Sequence, residues 1–95
     1  LNELKKLELA DVLPLLPLWD KMEGREAIVR EFRFPDFSEA FAFMTRAAIK
    51  AQIMDHHPEW FNVYDKVVVL LTTHDADGVT ALDIEMAQYM DSLVE

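Results

Sequence analysis

Apolar residues recur along this chain at two spacings, and each predicts a different element. Between residues 37 and 51, Phe37, Ala40, Phe41, Met44, Ala48 and Ala51 return every three or four positions, the repeat of a helix face turned to a core. Pro35 and Asp36 mark the start of this helix, with Asp36 or Ser38 able to cap its free N–H groups, and Pro58 closes the far end. The same helix, residues 36–55, carries a second apolar stripe of Ala42, Ile49 and Ile53 roughly 140° away. A helix apolar on two sides predicts two partners, the sheet beneath and another subunit above. Period-two patterning appears in residues 27–34, where Ile28, Phe32 and Phe34 share one parity and Glu31 and Arg33 the other, with Arg30 interrupting the apolar side. A strand over 18–22 joins it through "EGRE", where Gly24 supplies the turn.

Residues 60–64 and 66–73 predict a second hairpin turning near Tyr64-Asp65. The run "KVVVLLTT" has no polar face, as expected of a strand covered on both sides or lying at an interface. Two helices complete the chain. Residues 2–16, with Leu4, Leu7, Val12 and Leu15, predict one that Pro14 and Pro17 shorten or end. Thr80 begins the other through a T-x-x-D capping pair with Asp83, and Leu82, Met86, Tyr89 and Met90 stripe it to about residue 93. The order α-β-β-α-β-β-α predicts one α+β domain over residues 1–95, an antiparallel four-stranded sheet with helices packed on one face.

Composition narrows the functions open to such a domain. Ninety-five residues make one domain with a limited core, which association would help, and a 52% hydrophobic content excludes a disordered chain. A net charge of −9, with the basic residues dispersed, argues against direct nucleic-acid binding. No apolar run approaches the length of a membrane span, and no signal-type segment is expected. The absence of cysteine excludes disulfides, thiolate catalysis and Cys-ligated zinc, and fits a reducing compartment.

The chemistry concentrates in "MDHHPEWFNVYDKVVVLLTTHD", which holds all three histidines, His56, His57 and His74. Pro58 disfavours a helical His57, so the long helix gives way near Asp55–His56, and at that junction both rings can converge. If the 60–64 and 66–73 strands form a hairpin, His74 returns to the same end of the sheet. Three readings stand side by side: unremarkable polar residues, a metal site, and acid–base machinery. The H-H and distant-H spacing matches no standard helical ligand pattern, although three histidines and a water would make a catalytic zinc site. Imidazole also moves protons near neutrality without any metal. Asp55, Asp75 and Asp83 are candidates to orient the rings; Asp83 is equally explained by capping, and Trp60 by the core.

"DHHPEWFNVYDKV", followed by "TTHDADGVTALD", resembles the signature of the pterin-4a-carbinolamine dehydratases, and the resemblance runs upstream through "WDKMEGREAIVREFRFPDFSEAFAFMTRAA". It covers about residues 19–91. It implies a small cytoplasmic hydro-lyase that removes water from 4a-hydroxytetrahydropterin to give quinonoid dihydropterin, recycling the tetrahydropterin used by an aromatic amino-acid hydroxylase. It implies no cofactor and no metal, the pterin being substrate. By position it places His56, His57 and His74 around the pterin, with His56 and His74 as general acid and base and His57 orienting substrate. Asp55, Pro58, Trp60, Thr72, Thr73 and Asp75 would contact the ring or its substituents, and Asp83 would stand behind them. Many relatives carry glutamate where this chain has Gln52; at i, i+4 that carboxylate would support His56, whereas Gln52 brings no charge. Asp55 is the candidate to take that place.

The resemblance also implies dimers or tetramers, formed through the 36–55 helix and the sheet edges. Animal members serve as dimerisation cofactors of a homeodomain transcription factor, which would add a nuclear location. A protein-binding module using Ala42, Ile49 and Ile53 is therefore the competing reading.

Overall fold

The computed structural model describes residues 4–95. Its elements are α1 (Leu9–Val12) running into a 3-10 turn (Leu13–Leu15), β1 (Asp20–Lys21), β2 (Ile28–Arg33), α2 (Phe37–Met54), β3 (Glu59–Val63), β4 (Lys66–Leu71), a 3-10 turn (His74–Ala76) and α3 (Ala81–Ser92). The predicted order α-β-β-α-β-β-α is the observed one, and the α+β class holds. The strands form one antiparallel sheet in the order β1-β2-β4-β3, with β2 and β4 central.

The amino-terminal helix differs most from expectation. The range 2–16 begins outside the described residues, and within them only Leu9–Val12 is α-helical. Pro14 lies inside the 3-10 turn and Pro17 follows it, so the ladder cannot continue. Leu4 and Leu15 are exposed, while Val12 and Leu16 enter the core. Ahead of α1 the chain is tied down by its backbone, Leu7 N–H donating to the Val79 carbonyl at 2.8 Å. The expected strand 18–22 shrinks to two residues, and Gly24 adopts φ +78 in the turn that follows.

Helix α2 starts where Asp36 accepts a hydrogen bond from the Glu39 N–H at 2.9 Å. Its core face is rotated from the predicted stripe. Ala40, Phe43, Ala47 and Ala51 are buried, whereas Phe37 and Phe41 are exposed and Ala48 faces solvent with them. Three alanines let the helix approach the sheet closely, and Phe43 fills the remaining space against Phe32 and Phe34, ring centroids 4.6 and 5.1 Å away. Ile49 and Ile53 of the second stripe are fully outward at 59% and 76% exposure, with Ala42 half-buried beside the core face.

Strand β4 is not covered on both sides. Val67, Val69 and Leu71 are buried under the helices, and Lys66, Val68 and Leu70 are half-buried on the open face. Arg30 does interrupt the apolar side of β2. It pairs with Asp91 of α3, which also accepts from the Trp19 indole N–H at 2.8 Å, and its guanidinium lies 4.2 Å from the Phe32 ring centroid. Met86, Ala87 and Met90 of α3 complete the core, while Leu82 and Tyr89 are only half-buried. Among the described residues no helix is long and apolar enough to cross a membrane.

Candidate functional site

Two chain reversals bring the histidines together. Asp55, at the carboxyl end of α2, takes the left-handed conformation (φ 52), which turns the chain off the helix before His56-His57-Pro58 enters β3. The β3–β4 hairpin pairs Glu59 with Leu70, so the segment leaving β4 passes back beside the start of β3. A cleft of about 300 Å³ forms there, lined by Leu4, Asp55, His56, His57, Thr72, Thr73, His74, Asp75 and Leu82.

The three rings stand in different settings. His56 is buried, and its Nε2 lies 2.5 Å from Asp83 Oδ1. Asp83 is itself fully buried, and its other oxygen accepts from the Thr73 hydroxyl at 2.8 Å and the Thr80 N–H at 2.9 Å. That last bond is half of the capping box predicted for α3, and the same carboxylate meets the His56 ring. His57 is exposed, its Nε2 being 3.1 Å from Gln52 Oε1. Gln52 therefore serves His57 and not His56: the left-handed Asp55 takes His56 off the helical face that i, i+4 spacing assumes.

His74 is exposed on its 3-10 turn, with Nε2 at 3.1 Å from Glu59 Oε2. Glu59 also meets Arg25 through two hydrogen bonds of 2.8 and 3.0 Å. Arg25 and His74, in that order of influence, hold the Glu59 carboxyl well below the usual range, at about 2, and Glu59 in turn raises the Arg25 guanidinium. Neither Glu59 nor Arg25 was expected from the sequence. The available signal was register: a strand opening with glutamate lies opposite the exit of β4, toward His74.

Of the expected contact residues, Asp55, Thr72, Thr73 and Asp75 line the cleft with the histidines. Pro58 and Trp60 do not; Trp60 packs against the core. Thr72 donates its hydroxyl to the Glu26 carbonyl at 2.7 Å, which ties this wall to the β1–β2 turn.

A family model for pterin 4 alpha carbinolamine dehydratase matches residues 2–93. The chain belongs to this family. The dehydratase family is one of hydro-lyases, and its curated members include near relatives of this chain. A protein of Paraburkholderia xenovorans (strain LB400) that carries the name of a pterin-4-alpha-carbinolamine dehydratase is 56% identical over 93 residues, 98% of this chain and 97% of that one. One of the same name from Burkholderia vietnamiensis (strain G4 / LMG 22486) is 66% identical over 76 residues, 80% of this chain and 74% of that one. The crystal structure of a transcriptional coactivator/pterin dehydratase from Brucella melitensis superposes with a TM-score of 0.90 at 51% identity, covering 99% of this chain and all of that one.

Proposed function

We propose that this chain dehydrates 4a-hydroxytetrahydropterin to quinonoid dihydropterin and water by histidine general acid–base catalysis. The observation that carries the reading is the shared cleft, in which two of three histidines each face a carboxylate. An ionised carboxylate only accepts, so the ring nitrogen against it bears a proton and the opposite nitrogen is left for substrate. His56 with Asp83 and His74 with Glu59 are built this way, whereas His57 meets a neutral amide. His56 and His74 are thus the acid and the base, and His57 orients the pterin.

The step balances without redox change. One imidazolium protonates the hydroxyl on C4a, the C–O bond breaks and water departs. The other imidazole takes the N5 proton as the N5–C4a double bond forms. The two rings end in each other's protonation state and reset through solvent. No electrons leave the substrate, so the step needs no redox cofactor, and the two imidazoles supply both proton transfers. Each proton transfer contributes about 10²–10⁴-fold. Asp55, Thr72, Thr73 and Asp75 supply polar contacts at the cleft wall. The product suits a cytoplasmic recycling role beside an aromatic amino-acid hydroxylase.

The outward face of α2 supports association with further copies. Phe37, Phe41, Ile49 and Ile53 together form an exposed apolar strip on one 18-residue helix, the composition of an interface core and not of a free surface. The same strip supports the second reading, a protein-binding cofactor, toward which the words "transcriptional coactivator" for the Brucella melitensis structure also point.

The test is spectrophotometric dehydration of freshly made 4a-hydroxytetrahydropterin by chelator-treated protein, beside His57→Ala and the double variant His56→Ala/His74→Ala. Turnover that survives chelation, collapses in the double variant and persists with raised KM in His57→Ala is the expected result. No acceleration by folded protein would move the assignment to the binding module. Collapse in His57→Ala alone would transfer the proton-moving role to that ring.

A further inference from the structure

His74 presents a positioning problem. Its side chain is 75% exposed, on a three-residue turn, and a ring in that setting is free to rotate and to exchange its proton between nitrogens. Glu59 Oε2 stands 3.1 Å from Nε2, where a carboxylate can only accept. Glu59 is in turn held by both arms of the Arg25 guanidinium, a bidentate pairing with a fixed plane. The turn bearing Arg25 is anchored on both sides: the Arg25 carbonyl accepts from Lys21 Nζ at 3.2 Å, and the neighbouring Glu26 carbonyl accepts from Thr72. An unbroken path of contacts thus runs from the β1–β2 turn across the end of β4 to His74.

We propose that Glu59, clamped by Arg25, is the positioning residue of His74, fixing the ring with its proton on Nε2 and Nδ1 turned to substrate. The inference rests on the acid–base role given to His74 above. Other charged groups surround the ring. Asp55, His57 and Asp75 line the cleft with it, and Arg25, Glu26 and Asp77 line an adjoining hollow of about 450 Å³ that shares Thr72 and His74. Among the described residues Glu59 is the one whose side chain is hydrogen-bonded to the His74 ring. Because Arg25 and His74 keep its carboxyl ionised down to about pH 2, Glu59 remains a pure acceptor wherever an imidazole exchanges protons. In the neutral ring this leaves Nδ1 unprotonated and able to take a proton. In the charged ring it leaves Nδ1–H as the donor.

The experiment combines ¹⁵N NMR of the His74 ring, which distinguishes the two neutral tautomers without any turnover, with steady-state kinetics on the same samples. Wild-type protein should show the Nε2–H form. Glu59→Ala should give a tautomer mixture and lower kcat about tenfold while KM changes less than about twofold. Glu59→Gln, whose amide oxygen still accepts, should recover most of both. Arg25→Ala should fall between them, the carboxylate being present but unclamped. An unchanged His74 tautomer in Glu59→Ala would overturn the proposal, as would an unchanged kcat in a preparation where His74→Ala is impaired. A His74→Ala variant with wild-type kcat would instead show that the role given to His74 is at fault.

Discussion

Asp83 is the residue on which most of the site's interior depends. One buried carboxylate satisfies the His56 ring, the Thr73 hydroxyl and the Thr80 N–H, and Thr73 and Thr80 also meet each other at 2.8 Å. Asp83→Ala would orphan several buried polar groups together, a loss of about 3–5 kcal/mol. Its melting temperature should fall by more than about 10 °C, as followed by circular dichroism. Glu59 gives the pH-dependent counterpart. Its folded-state value of about 2 lies below the ordinary 4.5, so its contribution is present above pH 4.5 and is lost as pH falls toward 2. The side chain is 43% exposed, so solvent screens the pair and the contribution stays under about 1 kcal/mol. Urea midpoints between pH 2 and 6 should fall more steeply with acid in wild type than in Glu59→Gln, with the difference shrinking in high salt. At this scale the convergence of the histidines was legible because it needed only a proline and a hairpin register. The partner of Gln52 was not, because a single left-handed residue, Asp55, breaks the helical spacing from which partners are read.

At the scale of elements, the period of α2 was legible but not its phase. Large aromatics at Phe37 and Phe41 drew the expected core stripe toward themselves, yet the face that meets the sheet carries Ala40, Ala47 and Ala51 with one aromatic, Phe43, packed on Phe32 and Phe34. The two faces should respond oppositely to substitution. Ala47→Leu overfills the contact and should cost about 1–3 kcal/mol in urea denaturation, whereas Phe41→Ala should change the stability of an isolated monomer by less than about 0.5 kcal/mol. The amino-terminal helix is present but shorter than predicted, for a different reason. Its apolar spacing is genuine, but Pro14 and Pro17 remove donors where the ladder would continue, and the preceding residues find a backbone partner at Val79 instead. Strand β4 read as doubly covered or lying at an interface because Val68 and Leu70 are apolar as well as Val67 and Val69; the chain itself covers only the Val67 and Val69 face.

The whole molecule was the most legible level, since element order and binary pattern together leave few ways to place helices on a four-stranded antiparallel sheet. What the chain does with its remaining surface is set by exposure, which a sequence does not print. One face of the sheet and the outer side of α2 both present apolar side chains, among them Phe61, Val63, Ile49 and Ile53. If α2 mediates association, Ile49→Glu/Ile53→Glu should reduce the sedimentation coefficient to that of a smaller species while leaving the fold intact, because neither side chain touches the core. An unchanged coefficient would direct the search for contacts to the sheet and its edge strands.

The capping box at the start of α3 has a consequence for how this protein fails. Helix initiation and imidazole orientation draw on the same carboxylate, so the first turn of α3 cannot fray without releasing His56. Loss of the site and opening of that turn are therefore one event. On heating, the cleft should be lost together with the protection of the first-turn amides of α3 from hydrogen exchange. The coupling also restricts redesign: glutamate is the usual partner in such a box, but its longer arm at position 83 would push His56 aside, so a conventional improvement to the helix would disarm the cleft.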